Sequence, residues 1–129
     1  MKRFLSFLVL ILLLSCSGGS GVGTTSPTDP SISNVAAVPA SGKAGTTNFN
    51  FVFSLDYSST QGLSTLNYTY EGTTLSGDAT GCTSAFTQCV GIGINGTLSS
   101  TVGTLTIPVW VTDTAGNKSN TVNISFSQT

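Results

Sequence analysis

Between Thr47 and Tyr57 the side chains alternate with a period of two. Phe49, Phe51, Phe53, Leu55 and Tyr57 fall on one face, Asn48, Asn50, Ser54 and Asp56 on the other, and Val52 is the exception. Only an extended backbone sets i, i+2 and i+4 side by side, so the spacing predicts a strand with one face in a core. The rhythm returns in Leu66, Tyr68 and Tyr70, in Val90, Ile92 and Ile94, in Leu105, Ile107, Val109 and Val111, and in Val122, Ile124 and Phe126. Ile32 to Val38 is expected to supply a first strand and Thr73 to Ser76 a short edge strand. Turn residues separate these runs: Ser41-Gly42-Lys43, Gln61-Gly62, Glu71-Gly72, Ser76-Gly77-Asp78, Asn95-Gly96 and Ala115-Gly116-Asn117. About seven short strands in roughly a hundred residues predict an all-β, two-sheet sandwich. Frequent glycine and β-branched residues weigh against helices of useful length, and no internal repeat divides the module.

The first thirty residues follow another logic. Met1-Lys2-Arg3 is basic, Phe4 to Leu14 is apolar except for Ser6, and Ser15-Cys16 follows. Eleven helical residues rise about 16 Å, against a hydrocarbon thickness of about 30 Å, so the run reads as an export signal rather than a span. Leu13-Leu14-Ser15-Cys16 resembles the bacterial lipobox. That resemblance implies a signal peptide over 1–15, cleavage before Cys16, and a diacylglyceryl group on its thiol with acylation of the new amine. An ordinary secretory signal that leaves Cys16 as a free thiol is the alternative. One acyl chain holds a protein only reversibly, whereas two or three make the attachment durable. Ser17, rather than Asp, follows the cysteine, which by enteric sorting points to a lipoprotein of the outer membrane, with either face open. Residues 16–30 carry one apolar side chain, Val22, among Gly, Ser, Thr and Pro, and are expected to act as a flexible tether whose mean span is about 20 Å. The sandwich is assigned to 31–129.

With Cys16 given to lipid, Cys82 and Cys89 are left as a pair. In an oxidising compartment they are expected to form a disulfide that staples a short loop. A redox role is the other reading. It meets a spacing that is not Cys-x-x-Cys and no basic neighbour to lower a thiol pKa.

The stretch from Gly103 to Ser119, Gly-Thr-Leu-Thr-Ile-Pro-Val-Trp-Val-Thr-Asp-Thr-Ala-Gly-Asn-Lys-Ser, resembles the penultimate strand and following turn of bacterial immunoglobulin-like and fibronectin-type-III-like domains. The resemblance implies an immunoglobulin-like sandwich. Asp113 is suited to accept turn amides, and Gly116-Asn117 to take left-handed conformations. Leu105 stands where the family usually has Tyr, so a tyrosine-corner hydrogen bond is expected to be missing.

Chemistry is sparse. The chain has no His. After loss of 1–15, Lys43 and Lys118 face Asp29, Asp56, Glu71, Asp78 and Asp113, two charges against five or a net minus three, which does not invite nucleic acid. No spacing forces two carboxylates together, and no base stands beside the many serines, so no catalytic residue, cofactor or nitrogen–sulfur metal site is assigned. Calcium needs only oxygens. Asp113 and Asn117 are its candidates, against the alternative of a self-bonded turn. With Leu105, Ile107, Val109 and Val111 facing the core, Thr106, Trp110 and Thr112 are expected to face outward, either as a binding face for a protein or glycan of the envelope or as cover for a neighbouring strand. Pro108 implies a sheet edge or a bulge. The expected function is a non-enzymatic binding or adhesion-type module, held at a membrane by acyl chains on Cys16. The alternative is a structural accessory subunit of an envelope assembly.

Overall fold

A computed structural model describes residues 29–129; the expectations for the signal peptide, Cys16 and nearly all of the tether lie outside them. The strands are β1 (Ser31–Val38), β2 (Ser41–Gly42), β3 (Phe49–Ser58), β4 (Leu63–Tyr70), β5 (Thr73–Asp78), β6 (Gln88–Gly96), β7 (Gly103–Asp113) and β8 (Val122–Gln128). They form a three-stranded sheet, β1-β3-β6, packed on a five-stranded sheet, β2-β8-β7-β4-β5. Neighbours are antiparallel except β2, which runs parallel to β8. The first strand begins in one sheet, and its continuation β2 crosses to the other. With β3 and β4 in opposite sheets and β6 and β7 again in opposite sheets, the connections are those of an immunoglobulin-like sandwich.

The alternating aromatics of β3 build the centre. Phe51, Phe53, Leu55 and Tyr57 are buried, and Phe51 meets Phe126 edge-on at 4.9 Å and Tyr68 at 5.5 Å between ring centroids. Edge-on rings place the positive rim of one on the negative face of the other, an attraction added to area burial.

The expected missing tyrosine corner is absent in its usual place, since Leu105 is half-buried on β7. Its work falls to Tyr70 at the end of β4. The Tyr70 hydroxyl accepts the Ser99 amide at 2.9 Å and donates to Gln128 Oε1, while Gln128 Nε2 donates to the Ser99 carbonyl at 3.1 Å and to that of Thr101. The 97–102 loop is thus pinned by the ends of β4 and β8, the two strands that flank β7.

Several expectations need correction. Val90 does not face the core; it is 74% exposed, and buried Cys89 takes the inward position. A bulge is the cause: Phe53 pairs with Ile92 but Ser54 with Val90, leaving Gly91 unpaired with φ +78°. An extra residue reverses the phase of everything before it. Ser76-Gly77-Asp78 is strand, not turn. Gly77 is required by close approach, because a Cβ there would lie 2.5 Å from Ile94 Cγ1. Asn95-Gly96 also stays in strand, pairing with Asn50 and Phe49, and Ser41-Gly42 forms β2. Pro108 lies on the central strand β7 rather than an edge; the β4–β7 ladder stops at Tyr68–Val109, one pair short of the residue that has no amide to donate. Glu71-Gly72 does form the tight turn between β4 and β5, with φ of +46° and +82°.

Candidate functional site

Cys82 and Cys89 are joined in a disulfide with Cα atoms 5.5 Å apart, between the β5–β6 loop and the start of β6. The loop is held on every side. Leu63 donates its amide to the Cys82 carbonyl at 2.8 Å, Tyr57 donates its amide to the Thr87 carbonyl at 2.8 Å, and the Tyr57 hydroxyl donates to the Thr83 carbonyl. Burial pushes the Tyr57 phenol up, so this donor stays protonated across the physiological range.

Asp113 is buried at the end of β7. Its Oδ1 accepts the amides of Ala115 at 2.9 Å and Asn117 at 2.8 Å, and its Oδ2 accepts Asn117 Nδ2 at 3.0 Å. Burial raises its pKa, but the hydrogen bonds from the Asn117 side chain and from the turn amides outweigh it and hold the carboxyl below its ordinary range. Both carboxylate oxygens of Asp113 are therefore engaged within the turn. Gly116 takes the left-handed conformation, φ +90°. Among the described residues no three His, Cys, Asp or Glu side chains converge.

Trp110, Thr106 and Thr112 lie on the outer face of the five-stranded sheet. Thr106 is exposed opposite Ser125, and Thr112 accepts Asn67 Nδ2 at 3.3 Å. Trp110 is half-buried: Lys118 Nζ lies over its ring, 4.5 Å from the centroid, on a short bridge between Thr112 and Lys118. A cation over an indole face is attracted by the ring quadrupole, so this aromatic has an intramolecular partner.

The opposite outer face, on β1-β3-β6, is where sequence reasoning missed a surface. The registers place Ala36 beside Ser54 beside Val90, and Val38 beside Val52 beside Gly93. Val38 is 64% exposed, so with Val52 and Val90 it forms an apolar centre on a solvent-facing sheet. Polar rows flank it: Ser33, Asp56 and Gln88 at one end, Asn50 and Asn95 at the other. Asn34, at a second bulge and at φ +49°, donates to Asp56 Oδ2 at 2.7 Å and fixes that carboxylate. Shallow hollows open on both sides of Asp56 and Gln88, with Ser31, Ser58 and Thr87 lining one and Ser54 and Val90 the other. Gly91 inside an otherwise regular strand was the available signal, since an isolated strand glycine marks a bulge.

The Tyr68 hydroxyl is buried without a hydrogen-bond partner, and desolvation, then the neighbouring Tyr70, push it up to about 12. Asp78 is held below its usual value by the amide and hydroxyl of Thr80, at 2.9 and 2.7 Å.

No protein-family model matches the sequence, and no curated protein matches it. Among solved structures the chain is similar to the PKD domain of an M14-like peptidase from Thermoplasmatales archaeon SCGC AB-540-F20, at 17% identity and a TM-score of 0.46, over 79% of this chain and 94% of that one.

Proposed function

We propose that this immunoglobulin-like sandwich is a non-catalytic binding module, anchored at an extracytoplasmic membrane surface through acyl chains on Cys16, that engages a protein partner with the outer face of β1-β3-β6. One observation carries the reading: Val38 on β1 and Val90 on β6 stand exposed on either side of Val52 on the central strand β3, between a polar row of Ser33, Asp56 and Gln88 and another of Asn50 and Asn95. An apolar centre inside a polar rim is the anatomy of a protein interface. A glycan face would want an exposed aromatic ring there, and this one has none among the described residues. The lipobox supports the anchor, and the scattered carboxylates support the absence of catalysis.

The test compares the native chain with a V38D/V90D variant, extracted from envelopes in mild detergent. Both substitutions lie at exposed positions, so the melting temperature is expected to hold. The parent should migrate in a complex that the variant leaves. A parent that migrates as a monomer, or a variant that stays in the complex, overturns the reading. A native Cys16 free of acyl groups by mass spectrometry removes the anchor.

The structural-subunit reading draws on a separate observation. β5 and β6 are edge strands on the same side of the sandwich, and their outer backbone groups are open to pairing with another chain. In that case a proline placed on β5, rather than charges at Val38 and Val90, would dissolve the complex.

A further inference from the structure

We propose that the disulfide-closed loop between β5 and β6, residues 79–87, is a second membrane contact, with Phe86 seated in the lipid interface beside the acyl anchor. This rests on the lipoprotein reading and adds an orientation to it.

Ser31 opens β1, and the next residue is clamped at that end: the Ile32 amide donates to Asn120 Oδ1 at 2.8 Å, and Asn120 Nδ2 donates to the Ile32 carbonyl at 3.0 Å. The same end holds three connections hydrogen-bonded to one another. The Thr114 amide donates to the Gly62 carbonyl at 3.1 Å, Thr114 Oγ1 donates to the Gln61 carbonyl at 2.8 Å, and the Leu63 amide donates to the Cys82 carbonyl. Ser31 and Thr87 line one hollow, so β1 begins alongside the disulfide loop. The tight turn at Glu71-Gly72 and the 97–102 loop are at the far end.

The loop has the chemistry of an interfacial contact. From Ala79 to Gln88 it carries no charged residue, and its Phe86 is 61% exposed. The disulfide, the Tyr57 bonds and a Phe86 amide donated to the Thr83 carbonyl at 3.2 Å fix its shape beforehand, so little ordering entropy opposes insertion. Fourteen residues lie between Cys16 and Ser31, an extended reach of about 50 Å and a coil span of about 20 Å. A tether of that length holds the loop at an effective concentration of order millimolar at the bilayer.

The experiment uses the acylated full chain in phosphatidylcholine vesicles with brominated acyl chains. Two tryptophan probes are placed in a W110F background: F86W on the loop and V102W at the far end. The F86W emission is expected to shift to the blue and to be quenched several-fold more strongly than V102W. In the unsubstituted chain, amides 83–87 are expected to exchange more slowly on vesicles than in detergent. Flotation with the vesicles but no F86W quenching, or equal quenching of both probes, overturns the contact while leaving the anchor standing. Unaltered exchange at 83–87 overturns it too. A Cys16 without acyl chains removes the anchor and this contact together.

Discussion

The hydroxyl oxygen of Tyr70 accepts the backbone amide of Ser99 at 2.9 Å across 29 residues of sequence. Through Gln128, itself only 1% exposed, the same oxygen ties the end of β4 to the end of β8. Leu105, near the start of β7, offers no hydroxyl for a corner bond, and Tyr70 at the end of β4 makes one instead.

Tyr70→Phe removes that oxygen and leaves the Ser99 amide and Gln128 Oε1 short of a partner. An unsatisfied buried group costs about 1–3 kcal/mol. Urea unfolding of the soluble domain should show a loss of that size with an unchanged m-value, and hydrogen exchange should show amides 97–102 opening first.

Closing the eight-residue ring with the Cys82–Cys89 bond should contribute about 2.5 kcal/mol by restricting the unfolded chain. The paired Cys82→Ser, Cys89→Ser variant is expected to melt roughly 10–20 °C lower, since each kcal/mol is worth about 4–8 °C in a domain of this size. Calorimetry of the reduced parent should give a similar drop.

Two glycines are expected to fail for different reasons. Gly91 has nothing near its missing Cβ but sits at φ +78°, so Gly91→Ala should cost about 1–2 kcal/mol in backbone strain alone. Gly77 has no such φ, and its Cβ would meet Ile94, so Gly77→Ala should cost about 1–3 kcal/mol by crowding. Shortening Ile94 to Val in the same chain should recover part of the Gly77 loss and none of the Gly91 loss. Double-mutant cycles read the difference.

The turn around Asp113 predicts acid sensitivity with a definite sign. The folded carboxyl titrates below its unfolded value of about 3.9, so its contribution is present above that value and is lost as the pH falls through the lowered folded one. Asp78, held low by Thr80, adds to the same limb. Asp113→Asn should be less stable at neutral pH by about 1–3 kcal/mol and show a shallower decline in acid, as measured by denaturant midpoints at a series of pH values.

Much of the fold was legible because burial writes itself at period two. Phe49 to Tyr57 announced β3, and Leu66, Tyr68 and Tyr70 announced the inner face of β4. The Asp113 turn was legible because its hydrogen bonds are local. What escaped was non-local. Gly91 and Gly77 look alike in sequence, yet one is a bulge and the other a close approach to Ile94, a residue from another sheet. Because the bulge reverses the phase of β6, Val90 looked like core, and the apolar centre it forms with Val38 and Val52 could not be seen before the registers were known. Trp110 drew attention as the single indole, and its cover by Lys118 depends on how the turn after β7 folds back.

The most direct test of the binding face is site-specific photocrosslinking in intact cells, with the photoreactive residue placed at Val90 in one strain and at Thr106, on the opposite outer face, in another. The account predicts a discrete protein adduct at Val90 and none at Thr106. Adducts confined to Thr106, or none at Val90 in a chain shown to be folded and anchored, would contradict it.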